Sequence, residues 1–331
     1  SLVKMEASVY KKYRIVMKMG SFYKCLAVIF SFFYGSLIIF LLQLQYKQGS
    51  GDIGSYLHFF NQYDGEGAPE LTLAQDGAFR LTIFFLRDLF SVQALTILSA
   101  FGFITSTVIA YIFITNIKSK KYLIYLLPLL VMVFLSPITH VLFSSNIRSG
   151  IGFTILMIGI AYFRGLPRLA LFGLSSIVHF SMIPFVGLYI LFHLIKRLSF
   201  DGIQLNNTFT FIVLLLSSIF IAIVGGVVHV EAAVSSSFAY NFLIFYISLL
   251  MIFTDRKLMK NVFGFMSAGM IFIYFTGIFI DVSYSRYIGN ALLLYFLFLI
   301  QGGEERKIEV FTVGFIPFFI LTTFFMISNL S

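Results

Sequence analysis

Charge is scarce in this chain, and cysteine is nearly absent. Charged residues fill 11% of the 331 positions, against about 25% in soluble domains, which excludes a chain built mainly of water-facing domain. The single cysteine, Cys25, excludes an intrachain disulfide and a cysteine-cluster metal site; it reads as a small apolar side chain. No His-Glu-x-x-His helix and no phosphate-gripping glycine loop followed by lysine occurs, so the zinc-hydrolase and nucleotide-driven-pump signatures are both missing. Heptads, solenoid repeats and low-complexity tails are missing too.

What is present is hydrocarbon. Hydrophobic residues make up 59% of the sequence and the mean hydropathy is +0.96. Continuously apolar runs recur at 22–45, 91–115, 122–143, 147–163, 169–195, 208–230, 238–253, 261–280, 286–300 and 309–327. Most approach the roughly 20 residues that carry a helix across about 30 Å of hydrocarbon. Barrel strands would instead alternate in segments of about ten residues. The expected fold is therefore all-α. It is a polytopic helical membrane protein forming one transmembrane domain over 1–331, with about 11 transmembrane or half-membrane helices and an extracytoplasmic amphipathic segment. Membrane lipid is accordingly an expected partner. The first run is long enough to span and lacks a small-residue cleavage site, so it is expected to stay as a helix.

The net charge of +9 raises nucleic acid as a partner, but the basic residues sort by topology instead. With the amino terminus inside, Lys11-Lys12, Lys120-Lys121, Arg164, Arg168, Lys196-Arg197, Arg256-Lys257 and Arg306-Lys307 all face the cytoplasm. Of 23 Lys and Arg, only Lys47, Arg80, Arg87, Arg148 and Arg286 fall outside. The positive-inside rule accounts for the excess, and no nucleic acid is needed. The same rule shapes 169–195, which carries basic pairs before and after it. A single helix there would be about 40 Å long and would place the later basic clusters outside. A helical hairpin of two limbs of about 20 Å, turning near His179-Phe180-Ser181-Met182-Ile183-Pro184, avoids that. Irregular backbone inside a membrane must be covered by protein or water, so such a tip implies an embedded cavity reached from outside.

The longest polar stretch, within 46–90, holds Asp52, Asp64, Glu66, Glu70, Asp76 and Asp88 and is expected to face outward. Between its glycine-rich turns, Tyr56, Phe59, Phe60 and Tyr63 share one helical face. An amphipathic helix lying on the bilayer follows, its aromatics serving as interfacial anchors or as sugar-stacking platforms.

Three places combine buried polarity with chemistry. At Asn146-Ile147-Arg148, Asn146 can cap a helix starting at Ile147 while Arg148 sits in its first turn, which is how phosphate is held; the alternative is an arginine snorkelling to headgroups. Asp281-Val282-Ser283-Tyr284-Ser285-Arg286-Tyr287 opens another helix from outside with similar chemistry, or pairs Asp281 with Arg286. His179, on an apolar segment, is either satisfied by a carbonyl or positioned to take a proton near neutral pH; intramembrane ionisable residues mark functional sites by default. His58, His140, His193 and His229 are weaker candidates.

Taken in order, Asp52-Ile53-Gly54-Ser55-Tyr56, Asn146-Ile147-Arg148-Ser149-Gly150-Ile151-Gly152 and Val178-His179-Phe180-Ser181 resemble the EpsG-like branch of the Wzy-type polysaccharide polymerases, with Arg286 and Tyr287 a fainter match. The family's Asn-x-Arg is followed by glutamine, and Ser149 stands there here. The resemblance implies a bacterial glycosyltransferase joining oligosaccharide repeat units carried on undecaprenyl pyrophosphate, at the outer face of the cytoplasmic membrane. It also implies a chain-length regulator and a flippase as partners in exopolysaccharide or O-antigen synthesis. On that reading Arg148 and Arg286 hold the pyrophosphate and His179 orients or deprotonates the acceptor. Asp52, Tyr56, Asn146, Tyr284 and Tyr287 bind sugar or headgroup. The leaving group already carries its phosphates, so neither cofactor nor metal is called for. A flippase for the same lipid, or a membrane O-acyltransferase, would draw on similar residues.

Overall fold

The computed structural model describes residues 21–48, 54, 56–57, 77–117, 123–144, 146–200, 207–228, 238–254, 257–280, 286–302 and 305–328. Every regular element among them is helical, as expected where backbone polar groups must be satisfied within their own segment. In chain order they are α1 (Ser21–Gln48), α2 (Gly77–Phe90), α3 (Ala94–Thr115), α4 (Leu123–Leu135), α5 (Pro137–Ser144), α6 (Ile147–Tyr162), α7 (Gly165–Val178), α8 (Ile183–Phe200), α9 (Asn207–Val228), α10 (Phe238–Thr254), α11 (Val262–Phe279), α12 (Arg286–Gly302) and α13 (Glu305–Ser328).

Five helices are long and apolar enough to cross a membrane, at Lys24–Lys47, Ala94–Thr115, Phe180–Leu198, Val262–Phe279 and Arg306–Phe324; α4 and α5 together make a sixth if a bent pair counts as one span. Another five apolar helices, including α6 and α7, are shorter. The outside of the bundle is the wrong surface for water: Phe220 is 67% exposed, Phe253 77% and Phe279 87%. Large apolar area of that kind is stable against lipid tails and aggregates in water.

Its inside is organised around α12, on which every residue from Tyr287 to Gln301 is buried. A helix buried all round belongs at the centre of a bundle. α11 lies along it, with the Ser267 hydroxyl donating to the Ala291 carbonyl at 2.8 Å. α3 stacks Phe113 on Phe296 of α12, and α1 packs along α3. Further ties cross between helices where Tyr246 donates to the Gly314 carbonyl and Tyr274 to Asn241. A second, smaller apolar cluster gathers Leu42, Tyr56, Phe79, Ile83, Ile97, Leu98 and Ile147 and seats α2 against the start of α6.

Two breaks shape this end of the molecule. The run expected as one span over 122–143 is broken at Ser136-Pro137, where α4 and α5 bend by 55°. Proline cannot donate into the preceding turn but suits the first position of a new helix, and Thr139 and His140 restart the ladder by donating to the Ser136 carbonyl. The second break comes after Val178. His179 is extended, residues Phe180–Met182 form a 3-10 turn, and α8 follows. The chain folds back there: Phe172 and Tyr189 pack ring to ring at 5.0 Å, and Arg168 donates to the Tyr189 hydroxyl. Along a straight helix Arg168 and Tyr189 would stand about 30 Å apart.

The outward segment also differs from expectation. The helix read at Tyr56 to Tyr63 falls mostly on residues outside those described, whereas a 14-residue amphipathic helix forms further on, as α2. The whole of this helix lies within the outward stretch of 46–90, and Arg87 pairs with Asp88 in its last turn.

Glycine lets the helices meet closely where α5, α6 and α12 converge. A β-carbon on Gly150 would run into the Leu142 carbonyl, and one on Gly289 would lie 2.6 Å from the Ile138 carbonyl. Gly173 of α7, by contrast, has open space beside it. Gly150→Val should therefore lower the stability of the purified protein by about 1–3 kcal/mol through overpacking. Gly173→Ala should leave it unchanged or raise it by up to about 1 kcal/mol. Thermal unfolding in detergent compares the two, and equal melting temperatures for both variants would refute this packing.

Candidate functional site

The corner between α5 and α6 collects the polar groups that the bundle leaves unanswered. The corner is tight, with the Asn146 amide N–H closing onto the Val141 carbonyl at 2.8 Å. Asn146 stands at the N-cap position of α6 but does not cap it, which corrects the role expected for it: its side chain accepts nothing from the first turn. The backbone there, at φ −100° and ψ 54°, lies outside the extended conformation that lets a cap oxygen reach the N2 or N3 amide. The amide is 3% exposed, and neither its oxygen nor its nitrogen has a partner. A buried amide left in that state costs about 1–3 kcal/mol, so the position is set for something other than helix stability.

Arg148, two residues on, is half-buried. Its Nε donates to the Tyr56 hydroxyl at 2.5 Å, and its guanidinium carbon lies 5.0 Å from the centre of the same ring. Tyr56 is itself buried against Phe79 of α2 at 5.6 Å. The arginine is thus held by a phenol brought in from far upstream, and the phenol is held by the small apolar cluster. Tyr56, which the resemblance places among the residues binding sugar or headgroup, also holds this cation.

His179 comes to the same helix. It is 2% exposed, and its β-carbon would lie 3.5 Å from a β-carbon on Gly152. Gly152 follows Arg148 by four positions, so the imidazole stands about one turn, roughly 6 Å, further along the axis of α6. Its backbone is fixed from both sides, its N–H donating to the Ser175 carbonyl and its carbonyl accepting from Met182. Tyr287 reaches the group through rings: it packs at 5.7 Å on Phe185, which packs at 6.0 Å on Phe153 of α6. Arg286 opens α12 immediately before it. The side chain of Arg286, together with Asp52, Tyr284 and the Asp281 expected to pair with it, lies outside the described residues.

Several more polar groups gather here, and apart from Ser149 the sequence does not single them out. The Ser136, Thr139 and Ser149 hydroxyls and the Asn290 side-chain oxygen are buried without a partner. Asn290 follows Arg286 by four residues and so shares its helix face; an asparagine inside an apolar run is the signal that could have found it. Arg168 was read only as a cytoplasmic charge, yet its Nε donates to the Phe163 carbonyl at 2.9 Å and the Gly159 carbonyl at 3.2 Å. A cation on terminal carbonyls opposes the negative end of the helix dipole, so Arg168 fixes the end of α6 remote from Arg148. Among the described residues no three His, Cys, Asp or Glu side chains come together.

The arrangement offers a cation pinned by an aromatic, an amide with both hydrogen-bonding atoms unused, and an imidazole one turn along. Such a set can bind a phosphorylated, hydroxyl-bearing molecule and accept a proton from it. No family model matches the chain, and no curated protein or solved structure matches it either.

The Arg148–Tyr56 contact makes its own prediction. Tyr56→Phe keeps the ring and loses the hydroxyl, and Arg148→Met keeps length and loses charge. In a double-mutant cycle read by thermal unfolding the two should be coupled by about 1–2 kcal/mol. Additive effects would show that the two side chains do not act on each other.

Proposed function

We propose that this chain is a membrane glycosyltransferase of the polysaccharide-polymerase type, joining oligosaccharide repeat units carried on a polyprenyl pyrophosphate such as undecaprenyl pyrophosphate. In this reading its helices make about 11 full or half crossings of a bacterial cytoplasmic membrane, and the α5–α6 corner faces the exterior. The observation that carries the reading is the pairing of a half-buried, aromatic-held Arg148 with an unpartnered Asn146 amide at one helix start. Both would be costly in hydrocarbon. The resemblance of the motifs around Tyr56, Arg148 and His179 supports the same reading, and these three positions lie along one end of α6.

Chemistry follows from the residues. A hydroxyl oxygen of the acceptor unit forms a bond to the anomeric carbon of the donor. The bond from that carbon to the diphosphate oxygen breaks, and its electron pair leaves with the lipid diphosphate. Arg148 stabilises the charge that grows on the leaving group, in a partly dry site where such a contact is strong. Arg286, at the first position of α12, takes the other phosphate. His179 accepts the acceptor's proton and releases it to water. Asn146 and Asn290 supply the donors and acceptors that sugar hydroxyls require, with Tyr287 as a stacking face. Asp52 and Tyr284 belong to the same proposed set by their motifs.

The test is turnover of a purified lipid-linked repeat unit by the protein in proteoliposomes, read as a ladder of product lengths. Arg148→Ala should cut chain growth about 100-fold or more and His179→Gln by a similar factor, each with an unchanged melting profile. A flippase for the same lipid would move the substrate without lengthening it, and that result, or a normal ladder from folded Arg148→Ala, would overturn the assignment.

A further inference from the structure

An apolar groove opens at the opposite end of α6. A cavity of about 360 Å³ opens between α1, α3 and α6, lined chiefly by Val28, Phe32, Val108, Tyr111, Ile158 and Tyr162. Its volume falls within the range of small-molecule pockets, roughly 300–1,000 Å³. Ile158 and Tyr162 are ten and fourteen residues beyond Arg148, about 15–20 Å along the axis, so this cavity does not belong to the corner described above.

We propose that this groove holds one acyl chain of an anionic phospholipid, with the lipid's phosphate seated at Lys24. The lining gives a polar ligand little to hold. Ser31, which also borders the groove, donates to the Ala27 carbonyl of its own helix at 2.6 Å, and the Thr107 hydroxyl, though unpartnered, is fully buried at the contact with Gly35 and presents no surface to a ligand. Hydrocarbon is the occupant that loses nothing there. The walls belong to α1 and α3, two of the helices long and apolar enough to cross a membrane, so acyl chains are the hydrocarbon at hand.

Charge fixes the kind of lipid. Lys24 is exposed and lies one turn before Val28 on the stripe of α1 that lines the groove. Arg164, also exposed, follows Tyr162 by two residues at the same end. Tyr162 and Tyr111 line the groove with amphipathic rings of the kind found at membrane interfaces. An acyl slot with cations at its mouth selects an anionic headgroup over a zwitterionic one. The site stands apart from the proposed glycosyl transfer and would exist whatever reaction the α5–α6 corner performs.

Native mass spectrometry of the full chain in detergent tests it, by titrating palmitoyl-oleoyl phosphatidylglycerol against the matching phosphatidylcholine. One phosphatidylglycerol should bind roughly tenfold or more tightly than phosphatidylcholine. The paired variant Lys24→Gln, Arg164→Gln removes both cations at the mouth of the groove, and should abolish that preference while the lipid-free protein still melts cooperatively. Val108→Phe, which narrows the slot, should weaken both lipids. Equal binding of the two lipids by the native chain overturns the proposal, as does an unaltered preference in the paired variant. Full competition by soluble glycerol phosphate would also overturn it, because that would mean a headgroup site with no chain in the groove.

Discussion

Hydrocarbon offers no hydrogen bond, and that constraint governs the whole molecule. Each helix answers its own backbone, and the side-chain hydroxyls mostly follow suit. Ser31, Ser106, Thr115, Thr154, Thr276, Thr312 and Thr322 each donate to the carbonyl four residues earlier. Such back-bonding hides a polar atom within its own helix. Thr107, Ser218, Ser248 and Thr323 break the habit singly, each on a different helix. Ser136, Thr139, Asn146 and Ser149 break it together, between positions 136 and 149, with Asn290 on the helix packed against them. A concentration of unanswered groups is informative where scattered ones are not, because natural sequences tend to break local rules where function requires it.

The cause of that concentration is geometric. Proline at 137 turns a would-be continuous span into α4 and α5, and the next helix begins almost at once. Two helix ends and a tight corner are thereby brought within the bundle, where α12 approaches at Gly289 and the 3-10 turn of Phe180–Met182 covers Gly152. Residues that would face water at an ordinary helix end face protein instead. Arg148 is tolerable in this setting because Tyr56 supplies both an acceptor and an aromatic face, which offsets part of the cost of desolvating a guanidinium.

Class and interior polarity were legible in the sequence because both are local. Long apolar runs give helices, and basic pairs on both sides of 169–195 argue for a chain that returns to its starting side. What stayed hidden is long-range or conformational. Nothing near Tyr56 announces a partner 92 positions away; only packing of Leu42, Phe79 and Ile147 brings them together. The bend at Pro137 left the apolar run uninterrupted, so hydropathy read one span. Asn146 had the right residue type for a cap, but its backbone angles decide the matter and are set by the corner. α2 was hidden for the opposite reason. Its sequence, Gly77 to Phe90, carries Arg80, Arg87 and Asp88, and charge in an outward segment reads as loop until its apolar face finds α3.

The length of α6 connects these observations. At 16 residues it is about 24 Å long, some 6 Å less than the hydrocarbon layer it would have to cross. Arg168 secures its carboxyl end to the Phe163 and Gly159 carbonyls, and the fold-back of α7 and α8 is tied to the same arginine through Tyr189. With that end at one boundary, the other must stop short of the opposite boundary, and tilt only increases the shortfall. An arginine in its first turn would then start below the level at which headgroups solvate it, and the phenol of Tyr56 supplies an acceptor and an aromatic face at that depth. A recessed cation beside an unspent amide is the arrangement that a diphosphate entering from the membrane edge would complete. On the same placement the groove at the far end of α6 would lie where the helix meets its boundary. One short helix would thus set both the depth of the polar corner and the level of the lipid site.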